Sequence, residues 1–598
     1  MFFRYLQLFQ TFADVEVLVP YSTGKSDYAK QEFMDKFNVQ FHSIRDNTLK
    51  YYGTKEMLRS YLILTWLLQR ENDYDIVVFH DYRGIATHTI QMKESGMALQ
   101  NMKLVVTCHS SSRYSDLMNQ RMPSKNDLVT YGMEDYTRTY ADLTIFPSQW
   151  FGDLMQTESE MNDKFRNVHV INNFIYGLNT PTSAVIDTST VIKSKKFAYF
   201  GRVDLLKGYD FILDVVGKIG SNLIDEFLIM GDINSQEVKN NVNTLMNVMR
   251  SNNINTTLIG AKATKEAMTF LKENNYVVIL ASLFETFSCA LQELVFAGIP
   301  VLFSNAGGSK EVVKDPFNMY EIKDKKQLTS LLMDGLQNGF RQMELASPMK
   351  TILADVQQVL LAPISDQEKK VTVKDFVDCS DVTIGILTKN RDEMVVKLIN
   401  NFIDHQTCKH FQILVINNNN KMLEPLNSLS QVTQQLEDDM AVGLARRTMF
   451  QKATTTYVML FDDDDLPNPT ILEYLKTTII NTNAMLASGA CRNVDQNDKY
   501  DHISLTAGFT GIGSNLLIHH SGKAAALVNR EFANSFGLTI TETPIEEKSP
   551  FIGKYYTCFL DNLFLLFLFF LVFSSANLFF ILFYFFLYYF QIGVCTLK

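Results

Sequence analysis

Short, uninterrupted apolar runs, many ending at a glycine or a polar residue, recur along most of this chain, and helical stretches separate them. The first series is IVVFH (76–80), KLVVTCH (103–109), LTIF (143–146) and VHVI (168–171). The second is FAYFG (197–201), EFLIMG (226–231), TTLIGA (256–261), VVIL (277–280) and PVLFS (300–304), and the third is VTIGILT (382–388), QILVINN (412–418) and YVMLFDDDD (457–465). A strand that is apolar on both sides must be covered on both sides, and strands alternating with helices give a parallel sheet with crossover helices. The pattern therefore predicts an α/β chain: two Rossmann-like domains, a third α/β domain and a hydrophobic tail. A Thr/Ser/Pro-rich break (177–196) and a charged segment (365–375) divide the series. They set the expected organisation: residues 1–185, 190–362, a linker 365–380, a third domain 381–550 and a hydrophobic segment 559–590. No short solenoid repeat is present.

Composition excludes several alternatives. At 598 residues the chain holds about three or four domains of ~100–200 residues each. With 46% hydrophobic and 20% charged residues it is not a disordered scaffold. A net charge of −10 argues against a general polyanion binder, so no nucleic-acid partner is expected. Seven cysteines without a CxxC pair indicate neither a disulfide framework nor a zinc knuckle, which fits a reducing, cytoplasmic setting. At the amino terminus Phe2, Leu6, Phe9 and Phe12 recur at helical spacing, and VEVLV (15–19) reads as a strand behind that helix. Arg4, Gln7, Gln10 and Asp14 interrupt the apolar run, so it is not a signal peptide.

The second series carries polar residues at strand ends, where open α/β sheets bind ligands. Gly201 ends a strand, Arg202 and Lys207 lie in the following loop, and Gly208 precedes a helix. Two cations at a helix start suit a diphosphate, and a solvated basic loop is the plain alternative. Glu285 stands at the next strand-to-helix turn, and Glu293 lies among Ala290, Leu291, Leu294, Val295 and Phe296. A carboxylate buried there needs hydroxyl or N–H donors, which ribose supplies; otherwise Glu293 lies on the solvent side of its helix. Asn305, Ala306, Gly307 and Gly308 form a small-residue loop whose N–H groups a ligand could approach, or simply a turn.

Together, Gly201/Arg202/Lys207/Gly208, Glu285, Glu293, Gly307/Gly308 and Glu311 resemble the family 4 glycosyltransferases of the GT-B fold, over roughly residues 1–360. The resemblance implies a nucleotide-sugar donor, transfer with retention and no metal or other cofactor in this half. It assigns Arg202 and Lys207 to the diphosphate, Glu293 to the ribose and Glu285 to the donor sugar. His109, in VVTCHSSS, matches the family's His-Gly position near that sugar, with Ser110 in place of Gly; HDYRG (80–84) looks like the acceptor-side loop. The family begins with a strand and a Gly-rich loop, whereas this chain begins on the next helix. The expectation is therefore a longer native protein or an impaired first half.

In the third series four consecutive aspartates end an apolar strand, where mutual repulsion favours a hard divalent cation, or else a solvated acidic turn. Thr388, Lys389, Asn390 and Arg391, the Asp462–Asp464 element and Arg446 resemble the family 2 glycosyltransferases of the GT-A fold, over roughly residues 380–550. The resemblance implies inverting transfer, with Mg²⁺ or Mn²⁺ on Asp462 and Asp464. Donor contacts fall to Thr388, Asn390, Arg391, Asp462 and Asn417, the last standing where the family often has Asp. The family's base lies in a Glu-Asp pair further on; Glu546 and Glu547 are the acidic pair nearest that place, with Asp561 beyond.

Residues 563–590 carry no charge and hold a quarter of the 44 phenylalanines. That length is enough to span a bilayer of ~30 Å, although SSAN (574–577) interrupts it. It reads either as a membrane anchor or as sequence foreign to the folded enzyme. The function expected is a bifunctional glycosyltransferase moving sugars from a UDP- or GDP-sugar to a glycan or polysaccharide acceptor. An inactive or membrane-tethered nucleotide-sugar-binding scaffold and a sugar-nucleotide epimerase are the alternatives.

Overall fold

The computed structural model describes residues 2–19, 38–44, 50–159, 165–174, 191–219, 223–233, 236–347, 349–363, 377–489, 491–494, 500–504 and 526–535. The hydrophobic segment 563–590, the acidic pair Glu546/Glu547, Asp561 and most of the two breaks lie outside these residues. Among the described residues no helix is long and apolar enough to cross a membrane. The chain divides into two compact units, one built mainly from residues 1–375 and one mainly from residues 376–489 and 520 onward.

The first unit opens on the helix Phe2–Phe9, followed by the strand Glu16–Val19, which pairs in parallel with Gln40–Ser43. A four-stranded parallel sheet then runs in the order Ile76–His80, Lys103–Thr107, Leu143–Phe146, Val168–Val170. The six-stranded parallel sheet that follows has the order Asn255–Ile259, Glu226–Met230, Lys196–Phe200, Val277–Leu280, Val301–Ser304, Met319–Tyr320. Numbered along the chain this order is 3-2-1-4-5-6, the doubly wound arrangement, with its switch point between Lys196–Phe200 and Val277–Leu280.

Strand residues in this sheet alternate between two separate cores. Phe197, Tyr199, Phe227, Ile229, Val277 and Ile279 pack into one, with the helices Tyr209–Ile219, Gln236–Ser251 and Lys325–Asn338. Ala198, Leu228, Met230, Val278 and Leu280 pack into the other, with Thr264–Glu273 and Cys289–Phe296. Both faces are thus apolar, as the unbroken strand sequences require. The helix Met349–Leu361 crosses back to the first half, where Ile352, Val356 and Leu360 pack against Val105 and Ile145. The buried Lys103 caps that helix, donating to the carbonyls of Val359, Leu360 and Ala362 at 3.0, 3.0 and 2.7 Å. A cation at a helix carboxyl end also answers the helix dipole.

The second unit has a six-stranded mixed sheet: Val432–Leu436, Gln412–Asn417, Val382–Thr388, Tyr457–Asp462, Ala526–Asn529, Leu486–Ser488. Its first four strands are parallel and Ala526–Asn529 runs antiparallel to both neighbours. Ile384, Ile386, Ile413 and Val415 point into one core, and Leu414 and Ile416 into the other, beneath the helix Val442–Lys452. One expectation is corrected here. Cys379 and Cys408 are joined by a disulfide, with Cα atoms 6.2 Å apart. The helix Asp392–His405 carries the chain back to the strand's starting edge, which brings together two cysteines 29 residues apart that no short motif pairs.

Gly231, at the end of Glu226–Met230, lies against the Gly201 carbonyl, and a Cβ there would overlap that oxygen. Gly489 has open space around the same position. Gly231→Ala should destabilise the first unit by about 1–3 kcal/mol, as overpacking does, while Gly489→Ala leaves thermal unfolding unchanged. Unfolding of the full chain followed by circular dichroism checks both.

Candidate active sites

At the switch point of the six-stranded sheet, two loops meet. Gly201 turns at φ 139° and the chain then crosses above the strand ends. Asp204 accepts from the Lys207 N–H at 3.0 Å, closing a short turn, and Gly208, at φ 63°, sits where any Cβ would strike the Ala281 carbonyl. The Leu283 N–H donates to the Leu206 carbonyl at 2.8 Å, joining the loop to the turn after Val277–Leu280. This docking places Lys207 Nζ 2.5 Å from Glu285 Oε1, and Ser282 Oγ donates to the same oxygen at 2.7 Å. Gly201, Lys207, Ser282, Glu285, Ser288 and Ala290 line the cleft between them. Arg202 turns elsewhere, donating to Asp204 at 2.9 Å with its side chain 57% exposed. Glu293 is buried on Cys289–Phe296, so its helix does not present it to bulk solvent.

The first half supplies two histidines. His109 Nε2 lies 2.9 Å from His80 Nδ1, and His80 Nδ1 lies 2.8 Å from Thr107 Oγ1. Burial lowers the His80 pKa to about 4, and burial together with His80 lowers that of His109 to about 3. Facing nitrogens share one proton at most, so the two rings are not both imidazolium. Asp81 accepts the His109 backbone N–H at 3.0 Å, and burial raises its pKa to about 7 despite Arg138 at 3.5 Å. Arg138 is fully buried and also binds Glu134 and Asp135, at 3.1 and 3.0 Å. Glu134 accepts from the Arg83 and Ser112 N–H groups at 3.1 and 3.0 Å, so one buried cluster holds both strand-end loops.

The halves meet around Glu285. Phe284 stacks on Tyr114, with ring centroids 5.0 Å apart. Thr286 donates to the His109 carbonyl at 2.7 Å and accepts at its own carbonyl from Ser148 Oγ at 2.5 Å. Glu311 accepts from the Gln149 and Trp150 N–H groups at 2.8 and 2.9 Å, capping the helix Gln149–Glu158 from the other half. Gly307 and Gly308 are explained here. A Cβ on Gly307 would fall 2.5 Å from the Trp150 ring, and one on Gly308 2.6 Å from Ser148 Oγ. The glycines permit a close approach both to the Glu285 and Thr286 carbonyls, 2.4 and 2.3 Å from such Cβ atoms, and to the other half of the protein. Ser148, Trp150, Phe284 and Thr286 carry no motif, and nothing in the sequence singles them out.

The second unit repeats the construction at its own switch point, between Val382–Thr388 and Tyr457–Asp462. Thr388 Oγ1 donates to Asp463 Oδ2 at 2.8 Å, and Arg391 binds Asp463 and Asp464 at 2.8 and 3.2 Å. Asp463 is buried and holds Arg391 more firmly protonated. Asp462 and Asp464 are more open, with side chains 33% and 38% exposed, and Arg446 binds Asp462 at 2.9 Å. Asn390 adopts φ 58° and accepts from Asn419 Nδ2 at 3.0 Å. Asn417 is fully buried and donates to the Lys421 carbonyl, so it shapes the loop from beneath. Among the described residues no three His, Cys, Asp or Glu side chains are grouped to hold a metal by themselves.

Residues 187–347 match the family model described as glycosyl transferases group 1, and residues 383–534 match the model of glycosyl transferase family 2. This chain is a glycosyltransferase with two such domains in tandem. They are the two kinds of fold expected, a GT-B pair of Rossmann-like halves and a GT-A-like domain. No curated protein matches the chain. Among solved structures it is similar to HepE from Anabaena in complex with UDP and glucose (15% identity, 60% of this chain and 90% of that one, TM-score 0.41). It is also similar to the lipopolysaccharide outer core galactosyltransferase WaaB (16%, 60% and 92%, TM-score 0.40). A third is sucrose-phosphate synthase from Thermosynechococcus elongatus (15%, 58% and 95%, TM-score 0.37).

The histidine pair sets a pH dependence. Its pKa values lie below the unfolded value of about 6.5, so the unfolded chain takes up protons first on acidification, and the contribution present above pH ~6.5 is lost as pH falls. Asp81 runs the other way: its raised pKa gives a contribution present below pH ~4 and lost as pH rises through about 7. The unfolding midpoint of the first unit should fall between pH 6.5 and 4.5, and His80→Asn should flatten that fall. An unchanged acid limb in the variant would show that the histidines do not cause it.

Proposed function

We propose that the chain is a bifunctional glycosyltransferase that extends a glycan or polysaccharide from UDP- or GDP-sugars, with a retaining first domain of the family 4 type and an inverting, metal-dependent second domain. The observation that carries this reading is the shared design of the two switch points. Each gathers a basic residue and carboxylates above the first and fourth strands, where doubly wound sheets bind nucleotides.

In the first domain Lys207, with Arg202 swung in from the loop, binds the diphosphate, because a cation on a helix-opening loop suits phosphate oxygens. Glu293 accepts from ribose hydroxyls and Gly307/Gly308 line that wall. Glu285 holds the donor sugar by its hydroxyls, with neutral His109 facing it as a hydrogen-bonding group. The Lys207–Glu285 ion pair holds both side chains in place before the donor arrives.

In the second domain the donor set fits Mg²⁺ or Mn²⁺. Asp462 and Asp464 are hard oxygen ligands open to solvent, and two carboxylates plus substrate phosphates are a common arrangement for such ions. Bound there, the ion would neutralise the departing diphosphate. Asp463 keeps Thr388 and Arg391 in register with that site. Arg391 and Asn390 meet the donor's phosphate and sugar side, and Asn417 supports the loop that meets its base.

Two measurements test the reading, using release of nucleoside diphosphate from a panel of nucleotide sugars by the full chain. Glu285→Gln should cut metal-independent release by on the order of a hundredfold, and Asp464→Asn should do the same to the metal-dependent part. Chelation should remove only the second activity. Wild-type release from both variants would overturn the assignments, and saturable donor binding with no release would mark a binding scaffold instead.

A further inference from the structure

Glu285 and His109 stand on different halves of the first domain, and one side chain joins them. Thr286 Oγ1 donates to the His109 carbonyl at 2.7 Å, from a position that is itself buried. Its own carbonyl accepts from Ser148 Oγ at 2.5 Å, while Ser148 accepts from the Phe151 N–H at 3.1 Å as the cap of Gln149–Glu158. On the other flank the Phe284 ring lies among Tyr114, Trp150 and Phe151, at centroid distances of 5.0, 5.5 and 6.4 Å. The three-residue segment carrying Glu285 is therefore gripped on both sides by the first half, while the Glu285 side chain grips Lys207 on its own half. The Gly308 N–H adds a bond to the Glu285 carbonyl at 2.9 Å, so the backbone of this segment has little freedom.

We propose that Thr286 is a positioning residue, aligning Glu285 with His109 across the cleft so that the donor-sugar pocket is complete only while the two halves are docked. The proposal rests on the assignment of Glu285 and His109 to the donor sugar. The hydroxyl is what matters. The Ser148 bond goes to the main chain and the Phe284 contacts are apolar, so neither depends on the side chain at 286. Thr286 holds the His109 carbonyl while Asp81 holds the His109 N–H. Main-chain donor and acceptor of one residue are thus each held by a separate side chain, a degree of constraint that suits an aligned site more than a surface turn.

The test uses the full chain in chelator, so that only metal-independent release is read. Thr286→Val keeps the volume and loses the hydroxyl; it should lower kcat by on the order of ten- to a hundredfold, as a misaligned site does, with UDP affinity by calorimetry unchanged. Thr286→Ser should restore kcat to near the wild-type value. Thr286→Ala removes the same hydroxyl without adding a methyl group and should repeat the loss if the valine variant folds poorly. A wild-type kcat in the valine or alanine variant, with Glu285→Gln still inactive, would overturn the proposal and leave the site assignment standing. A loss of UDP affinity in step with kcat, or a serine variant no better than valine, would mark Thr286 as merely structural. Full release by Glu285→Gln would remove the site assignment and the proposal with it.

Discussion

Parallel strands buried on both faces leave a protein few places for chemistry. Every side chain along such a strand is committed to one of two cores, as Phe197, Ala198 and Tyr199 are in turn. Polar function is confined to the strand ends, and where the winding reverses, two loops part to leave a crevice. Both domains obey this constraint with the same strands, the first and the fourth. Lys207 and Glu285 come from sequence positions 78 apart, and Thr388 and Asp463 from positions 75 apart, yet each pair bonds directly. The strand order, more than any local motif, makes these residues neighbours.

The two crevices solve their electrostatics differently. In the first, one ammonium meets one carboxylate, a balanced pair that a doubly charged diphosphate can enter by competing for the lysine. In the second, two guanidinium groups stand over three aspartates, leaving residual negative charge. Such a surplus attracts a cation and repels a bare diphosphate, so the two crevices differ in the local field they present to a ligand. A different balance operates behind the first crevice, where Arg138 alone is surrounded by Asp81, Glu134 and Asp135 and burial raises Asp81 toward neutrality. The carboxylates of that cluster bind both strand-end loops, Glu134 through the Arg83 and Ser112 N–H groups and Asp81 through the His109 N–H.

The α/β architecture is legible in the sequence because the central strands have no solvent face. VTIGILT and VVIL have the same bounds as apolar runs and as strands. The edge strands are harder to see: Val432–Leu436 is VTQQL, half polar, and Met319–Tyr320 is two residues long. Glu285, Lys207 and the aspartates can be named from motif spacing, since their chemistry is local to a strand end. The residues that hold the halves together cannot, because Thr286 and Ser148 matter only through partners 177 and 138 positions away. The disulfide escapes for the same reason, and Gly307 and Gly308 are legible as glycines but not as to what crowds them.

That crowding has a bearing on how such a domain can be rebuilt. Glu311 and the paired glycines are shaped to the Ser148–Trp150 segment, and Phe284 and Thr286 to the loop that carries His109. Two halves that look like interchangeable modules are therefore cut to one another along a seam. A chimera that takes its first half from one enzyme and its second half from another must carry residues 148–150, 284–286 and 307–311 as a matched set, or it joins two sound halves across a faulty seam.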